Sequence, residues 1–582
     1  MNYSKMTKIM MFSLLALLLL VGVASAQEWV VTSSGDTVNN TNITDQNNLT
    51  LRQAVEKSVS GDTITFANDV SAVNMVYGEL KINKDLTISG NANKVIIGRS
   101  NSSATQEMGV FNISGGNVVF RNINIENGST TTGNGGGLLV TGNANVTLDS
   151  CSLQRNRAAN GGAIYLDGGT VTMTSTTVYR NSAITDGGAF VIKNGTITMN
   201  GGYVDTHTSK NNTIQLMKGR FDASNVNFAN NSVSDIGTTV NGSAATSMTF
   251  KYCTFTNNTG LSSGSIYTVS SLVAENCIFD NVKSNTSGGA ISLGTGADAT
   301  VRYSIFSNNK ANDDGGAIHI GSGSNATLDT CTFNNNSAGY GGAIFNVGNA
   351  TITACTATNN TAKLYGGAVA SWNDGSTTMN KTVLTNNTAN GNGTNQSAGG
   401  GLNVSRGHAS IGNNVIVGNK DPRSVDFGEE NATVQSLGNN LVGIYKGSGK
   451  FPVSSTDAAG ITADAVFDTS SGYPSLSKDT GYRAGTNQSI VYTVALNSSS
   501  SNPAISVLGS NTSPQPSNET NQSNQSNPSN ESNQSNATNP EPSGNGNMSW
   551  IWYVLIAIVV IAVLGIVVYA LIKYNNKRQY KF

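Results

Sequence analysis

The sequence predicts an all-β chain, a right-handed parallel β-helix solenoid with about 25–27 residues per coil. Three observations predict it. First, a Gly-Gly-Ala-Ile motif recurs at Gly161–Ile164, Gly187–Phe190, Gly288–Ile291, Gly315–Ile318, Gly341–Ile344 and Gly366–Val369, with steps of 27, 26 and 25 residues over the last four copies. Second, a slot holding Cys253, Cys277, Ser304, Cys331, Cys355 and Thr382 returns every 24 or 27 residues. Third, charged residues make up 12% of the chain, about half the usual share. A fixed period in this range means stacked supersecondary units.

Each part of the coil has a sequence reason. After Gly-Gly comes an alternating run, such as Ile318-His319-Ile320. A turn follows, and then a second alternating run, such as Ala326 and Leu328. The alternation slips by one between Leu328 and Cys331, and between Ile352 and Cys355. Period two marks a strand and a phase slip marks a corner. A third strand, with Cys331 and Phe333 inward, ends in Asn-Asn. The expectation is three strands and three corners per coil. Right-handed winding is expected from the handedness of parallel crossovers. About 14 coils spaced ~4.8 Å apart make a rod of roughly 65 Å. Stacking also explains the low charge, because a charge in a repeated slot would face its own sign. Glycine supplies positive φ at tight corners and lets coils approach.

The ends point to the cell surface. Residues 1–26 read as a signal peptide: Lys5 and Lys8, an apolar run from Ile9 to Val23, then Ala24-Ser25-Ala26, with Gln27 as the mature N-terminus. Residues 27–80 are expected to form an N-terminal cap and the first coils, with a short amphipathic helix over Leu51 to Lys57. Residues 81–450 are the repeats, and 451–508 close the solenoid. Residues 509–548 read as a solvated Asn/Ser/Pro-rich stalk with Asn-x-Ser/Thr triplets at Asn518, Asn521, Asn524, Asn530, Asn533 and Asn536. Residues 550–572 are long and apolar enough to span a bilayer. Trp550, Trp552 and Tyr553 lie on the outer side. Lys573, Lys577, Arg578 and Lys581 in the tail, 573–582, lie on the inner side. The chain thus reads as a single-pass cell-membrane protein with its body outside.

The paired Gly-Gly-Ala-Ile and Phe-x-x-Asn motifs (Phe228 to Asn231, Phe255 to Asn258, Phe306 to Asn309, Phe333 to Asn336) resemble the repeats of chlamydial polymorphic outer-membrane proteins. Leu49-Thr50-Leu51-Arg52-Gln53-Ala54-Val55, followed by Gly61-Asp62-Thr63-Ile64, resembles the CSLREAI segment that opens many surface β-helices, but lacks its Cys. The layout is similar to the adhesin-like proteins of methanogenic archaea. The resemblance implies surface exposure and adhesion, with glycans or proteins of other cells as partners, and it carries over no catalytic residue. The chlamydial proteins end in an outer-membrane β-barrel, whereas this chain ends in a single apolar stretch.

β-Helices also house polysaccharide lyases and hydrolases, which gather carboxylates and a basic residue on one face. Asp313-Asp314 with His319 is the nearest match. Asp314, however, fills the position before Gly-Gly, which also holds Asn160, Asp186, Ser287, Tyr340 and Tyr365, so it reads as a turn residue. His319 is expected to point to solvent between inward Ile318 and Ile320. His207 and His408 have no partner at metal-ligand spacing, and Arg406 and Asp421-Pro422-Arg423 are isolated. No catalytic, cofactor or metal residue is expected, no nucleic-acid motif is present, and a net charge of -1 gives no steering field. The five cysteines read as small buried ladder residues, since stacked parallel Cβ vectors sit too far apart for an undistorted disulfide; the alternative is a vertical bridge between adjacent coils at Cys253 and Cys277 and at Cys331 and Cys355. The expected function is attachment by a non-enzymatic surface adhesin. The alternatives are a polysaccharide-cleaving enzyme and a cell-envelope scaffold.

Overall fold

Residues 315–340 show how one coil is built in the computed structural model. Gly315-Gly316 turns the chain into strand Ile318–Ile320, and a tight turn at 321–324 leads to strand Asn325–Asp329. Thr330 adopts φ 54°, Cys331 points inward, and strand Thr332–Asn334 follows. Asn335 adopts φ 56°, Asn336 turns inward, and the two-residue strand Ser337–Ala338 returns the chain to Gly341. Between Ser129 and Ala389 the coils therefore carry a fourth strand beyond the expected three. The fourth type forms a separate 11-stranded sheet beside a 43-stranded one. Its members, such as Lys310–Ala311 and Ser337–Ala338, are too short to show alternation.

The coils stack in parallel register. Ile318 pairs with Ile344, Thr327 with Thr351, and Phe333 with Ala357. The result is a parallel β-solenoid of about 14 turns. The described residues are 26–37, 48–99, 107–235, 237–391, 398–447, 451, 454–463, 466–468 and 475–476. The expected stalk, span and tail lie outside them, as does all of the signal peptide but Ala26 and all but scattered pieces of the closing segment. No helix among the described residues is long and apolar enough to cross a membrane.

Glycine pairs work by two separate effects. The first glycine of each pair (Gly161, Gly187, Gly288, Gly315, Gly341, Gly366) has φ between 58° and 68°, where a Cβ is strained. The second has little room: a Cβ on Gly316 would overlap the carbonyl oxygen of Gly342, and one on Gly342 that of Gly367.

The interior is a set of one-residue columns. Phe228, Phe255, Phe279, Phe306 and Phe333 stack with centroids 4.7–5.0 Å apart and planes within 11°. Beside them runs a column of buried amides. Asn336 Oδ1 accepts the Asn309 N–H at 3.0 Å and its Nδ2–H at 2.9 Å, while Asn336 Nδ2 donates to Phe306 O at 3.0 Å. Asn360, Asn387 and Asn419 continue the pattern. These amides satisfy backbone groups that the corner leaves unpaired. His207 takes the same place in its coil: Nδ1 accepts the Asn181 N–H at 3.1 Å and Nε2 donates to Val178 O at 3.1 Å. Burial lowers its pKa to about 4, so it is neutral at pH 7.

Where charges occur on the second strand, they alternate up the stack: Lys251, Glu275, Arg302, Asp329. The first pair closes at 3.0 Å. This is the arrangement the stacking argument requires. The exposed stacked pair Lys283 and Lys310 departs from it at a site open to water.

At the N-terminal end, helix α1 (Leu51–Lys57) packs against strands Glu28–Val31, Asp62–Phe66 and Leu80–Ile82. A capping box between Thr50 and Gln53 begins it, and Lys84 Nζ donates to Val55 O at 2.6 Å at its other end. Arg52 forms a buried two-point ion pair with Asp36, at 2.6 and 3.0 Å. Burial acts to raise the Asp36 pKa, but Arg52 and the Val76 and Tyr77 N–H groups hold it below the usual carboxylate range.

Candidate functional site

Two outward columns flank the glycine corner. One is the position before Gly-Gly, which runs through Ser287, Asp314, Tyr340 and Tyr365. The other is the middle residue of the first strand, which runs through Ser292, His319, Phe345 and Ala370. Side chains here point away from the core, so the repeat leaves their identity free.

Over residues 319–372 both columns turn aromatic. His319 stacks on Phe345 with centroids 5.7 Å apart and planes at 10°. Tyr340 meets Phe345 edge-on at 6.1 Å and stacks with Tyr365 at 5.9 Å. Trp372, at the end of strand Val369–Trp372, leans over the set, 4.7 Å from Tyr340, 5.9 Å from Tyr365 and 6.3 Å from Phe345. Phe345 and Tyr365 form the floor, 5% and 8% exposed, while Tyr340, Trp372 and His319 are half-buried. The exposed Arg406 places its guanidinium 6.0 Å from the Trp372 ring, within cation–π range. The Trp372 Nε1–H is covered yet finds no hydrogen-bond partner among the described residues.

The polar edge is unusual for a turn. Ser287 Oγ donates to Asp314 Oδ2 at 3.3 Å. Burial raises the Asp314 pKa to about 6, and the negative Asp313 pushes the same way. Burial also raises the Tyr340 hydroxyl, with Tyr365 and Asp314 adding to the shift.

His319 does not project freely into solvent as expected. Phe345 covers one face and Ser292 Oγ lies 3.5 Å from Nδ1. Burial lowers its pKa to about 4. Among the described residues no hydrogen bond or ion pair joins it to Asp313 or Asp314. His207 is interior, and His408 is exposed on a different face, in a column with Ser376 and Thr433. Asp421 is a turn residue whose carboxylate accepts the N–H groups of Ala398, Arg423 and Val425. All five cysteines are buried free thiols. Cys331 Sγ donates to Asp329 O and Val301 O at 3.4 and 3.5 Å, and burial pushes the Cys151 thiol up to about 11.

Sequence reasoning missed the aromatic cluster. Tyr340 and Tyr365 share the tolerant turn position, and Trp372 falls outside the repeated motifs. The signal was present in the period itself: the outer position changes from Ser287 and Asp314 to Tyr340 and Tyr365 in successive coils.

The profile of the Chlamydia polymorphic membrane protein repeat matches residues 303–321 and 330–347, the coils that carry the start of this patch. No curated protein matches the chain. Among solved structures the chain is similar to pectate lyase Pel9A, at 14% identity with a TM-score of 0.23, over 82% of this chain and 91% of that one. The chain is thus a parallel β-solenoid with polymorphic-membrane-protein-type repeats. Repeat and fold together fit a surface adhesin-like protein.

Proposed function

We propose that this chain is a membrane-anchored, cell-surface adhesin that attaches its cell to glycans or to other cells. The contact surface is the aromatic glycine corner around Tyr340, Phe345, Tyr365 and Trp372. The observation that carries the reading is this cluster of rings on the outer corner, with the exposed Arg406 beside it. A sugar presents apolar C–H faces and hydroxyl edges. The half-exposed rings of Tyr340 and Trp372 suit the faces. The exposed Arg406 is a donor suited to the hydroxyls. Stacked coils give the patch a regular backbone, and many molecules on one cell raise avidity without tight single sites.

The apolar stretch 550–572 is the proposed anchor, and the Asn/Ser/Pro-rich stretch 509–548 is the proposed linker to it. The reading is of binding without turnover. The test is incubation of the purified chain with a panel of polysaccharides and with cells. The account predicts retention of the glycan at unchanged chain length. Release of shortened or unsaturated sugar products would replace it with an enzyme. Loss of envelope integrity with normal attachment, on deleting the gene, would replace it with a scaffold.

A further inference from the structure

Among the described residues, the earliest backbone nitrogen held by a side chain rests on a buried carboxylate. Asp62 is 1% exposed. Its Oδ1 accepts the Gln27 N–H at 2.8 Å, and its Oδ2 accepts Trp29 Nε1–H and the Val59 N–H, each at 2.9 Å. Burial acts to raise its pKa, but these three donors and the charge of Lys84 hold it below the usual carboxylate range. Asp62 is therefore ionised and already aimed at the Gln27 nitrogen. Gln27 also follows the small-x-small run Ala24-Ser25-Ala26, and both Ala26 and Gln27 are exposed. The bond between them is open to a peptidase.

With Gln27 as the mature N-terminus that the sequence predicts, we propose that its freed α-ammonium docks on Asp62 as an ion pair. Hydrolysis adds water across the peptide bond, leaving a carboxylate on Ala26 and an ammonium on Gln27. One nitrogen thus changes from a neutral amide donor into a cationic one at the same place. The hydrogen bond to Asp62 becomes charge-assisted from both sides. The cut therefore strengthens the first coil at its edge strand, Glu28–Val31, which pairs with Asp62–Phe66. The inference is independent of which ligand the aromatic corner takes.

A chemical consequence follows from the same geometry. An N-terminal glutamine cyclises when its neutral amine attacks the side-chain carbonyl. The N–Cδ bond forms, the Cδ–Nε2 bond breaks, and ammonia leaves with the proton that the α-nitrogen gives up. Asp62 keeps that nitrogen as an ammonium, which has no lone pair to attack with. The docked terminus resists cyclisation.

The test expresses the full chain with its own leader in a secreting host and reads the N-terminus by mass spectrometry. The expected product begins at Gln27 and is uncyclised. Asp62→Asn is expected to accumulate a form lighter by one ammonia, several-fold faster than the wild type. In parallel, full chains trimmed to begin at Gln27 or at Ala26 are melted side by side. The Gln27 chain is expected to melt higher, and Asp62→Asn to erase the gap. A mature terminus elsewhere, or equal melting of the two wild-type chains, overturns the proposal. The two wild-type chains decide the matter even if Asp62→Asn fails to fold.

Discussion

Two corners of the same coil face opposite demands. The asparagine corner, at Asn335-Asn336 in one coil, turns its second residue inward and leaves little choice. Asn156, Asn181, Asn231, Asn258, Asn309, Asn336, Asn360 and Asn387 fill that slot, His207 fits because it also accepts and donates one bond each, and Val282 is the apolar exception, still giving its backbone N–H to Asn309. The glycine corner fixes its backbone with Gly-Gly and turns the preceding residue outward. That position ranges from Asn160 and Asp186 through Ser287 and Asp314 to Tyr340 and Tyr365. Inward corners are set by unpaired backbone groups. Outward corners are free to vary, and the aromatic patch lies at one of them.

The difference can be tested in descending order of effect. Asn336→Ala should break the inner corner most severely. It orphans the backbone and side-chain N–H groups of Asn309 and the carbonyl of Phe306. The expected loss is on the order of 3–5 kcal/mol, by summing unsatisfied buried groups. Thermal melting reads it, and hydrogen exchange should place it in residues 300–345. An unchanged melting temperature would show that the amide column is decoration.

Next comes acid. His207 titrates near 4 when folded, against an ordinary value of 6.5. The unfolded chain binds the proton first, so stability falls as pH drops from about 6.5 to about 4. The full loss is about 3 kcal/mol from the width of that window. His207→Asn restores the common residue of the column and should remove this component of acid sensitivity. Comparing melting temperatures at pH 7 and 4.5 in both chains checks it.

A smaller effect belongs to the outer corner. Asp314 titrates near 6 when folded and near 3.8 ordinarily. Here the folded chain holds the proton longer, so stability falls as pH rises from about 4 to 6 and stays lower above. Asp314→Asn should therefore stabilise the chain at pH 7, by less than about 1 kcal/mol after solvent screening. Destabilisation instead would mean that the carboxylate holds the corner together.

Much of this architecture was legible because repetition reports register. The glycine pairs and the Cys slot put Ile318, Leu328, Cys331 and Phe333 inside, and the structure has them there. What escaped has physical causes. Ser337–Ala338 is too short for period two to register. Thr330, Tyr303 and Lys381 adopt left-handed φ without being turn formers, because the coils above and below hold the corner in place. His207 was read as an unpartnered histidine, since its role appears only when hydrogen-bonding capacity, and not residue type, is matched along the period. The Asp36 partner of Arg52 lies in a stretch with no repeat to align. The aromatic patch is assembled from positions that the repeat leaves unconstrained, and periodicity says least about those.

The central claim is that the glycine corner binds while the asparagine corner supports. The most direct measurement pairs glycan retention with melting temperature for Tyr340→Ala/Trp372→Ala in the full chain. The account predicts that retention is lost while the solenoid melts within a few degrees of the wild type. Undiminished retention in the folded double variant would contradict it.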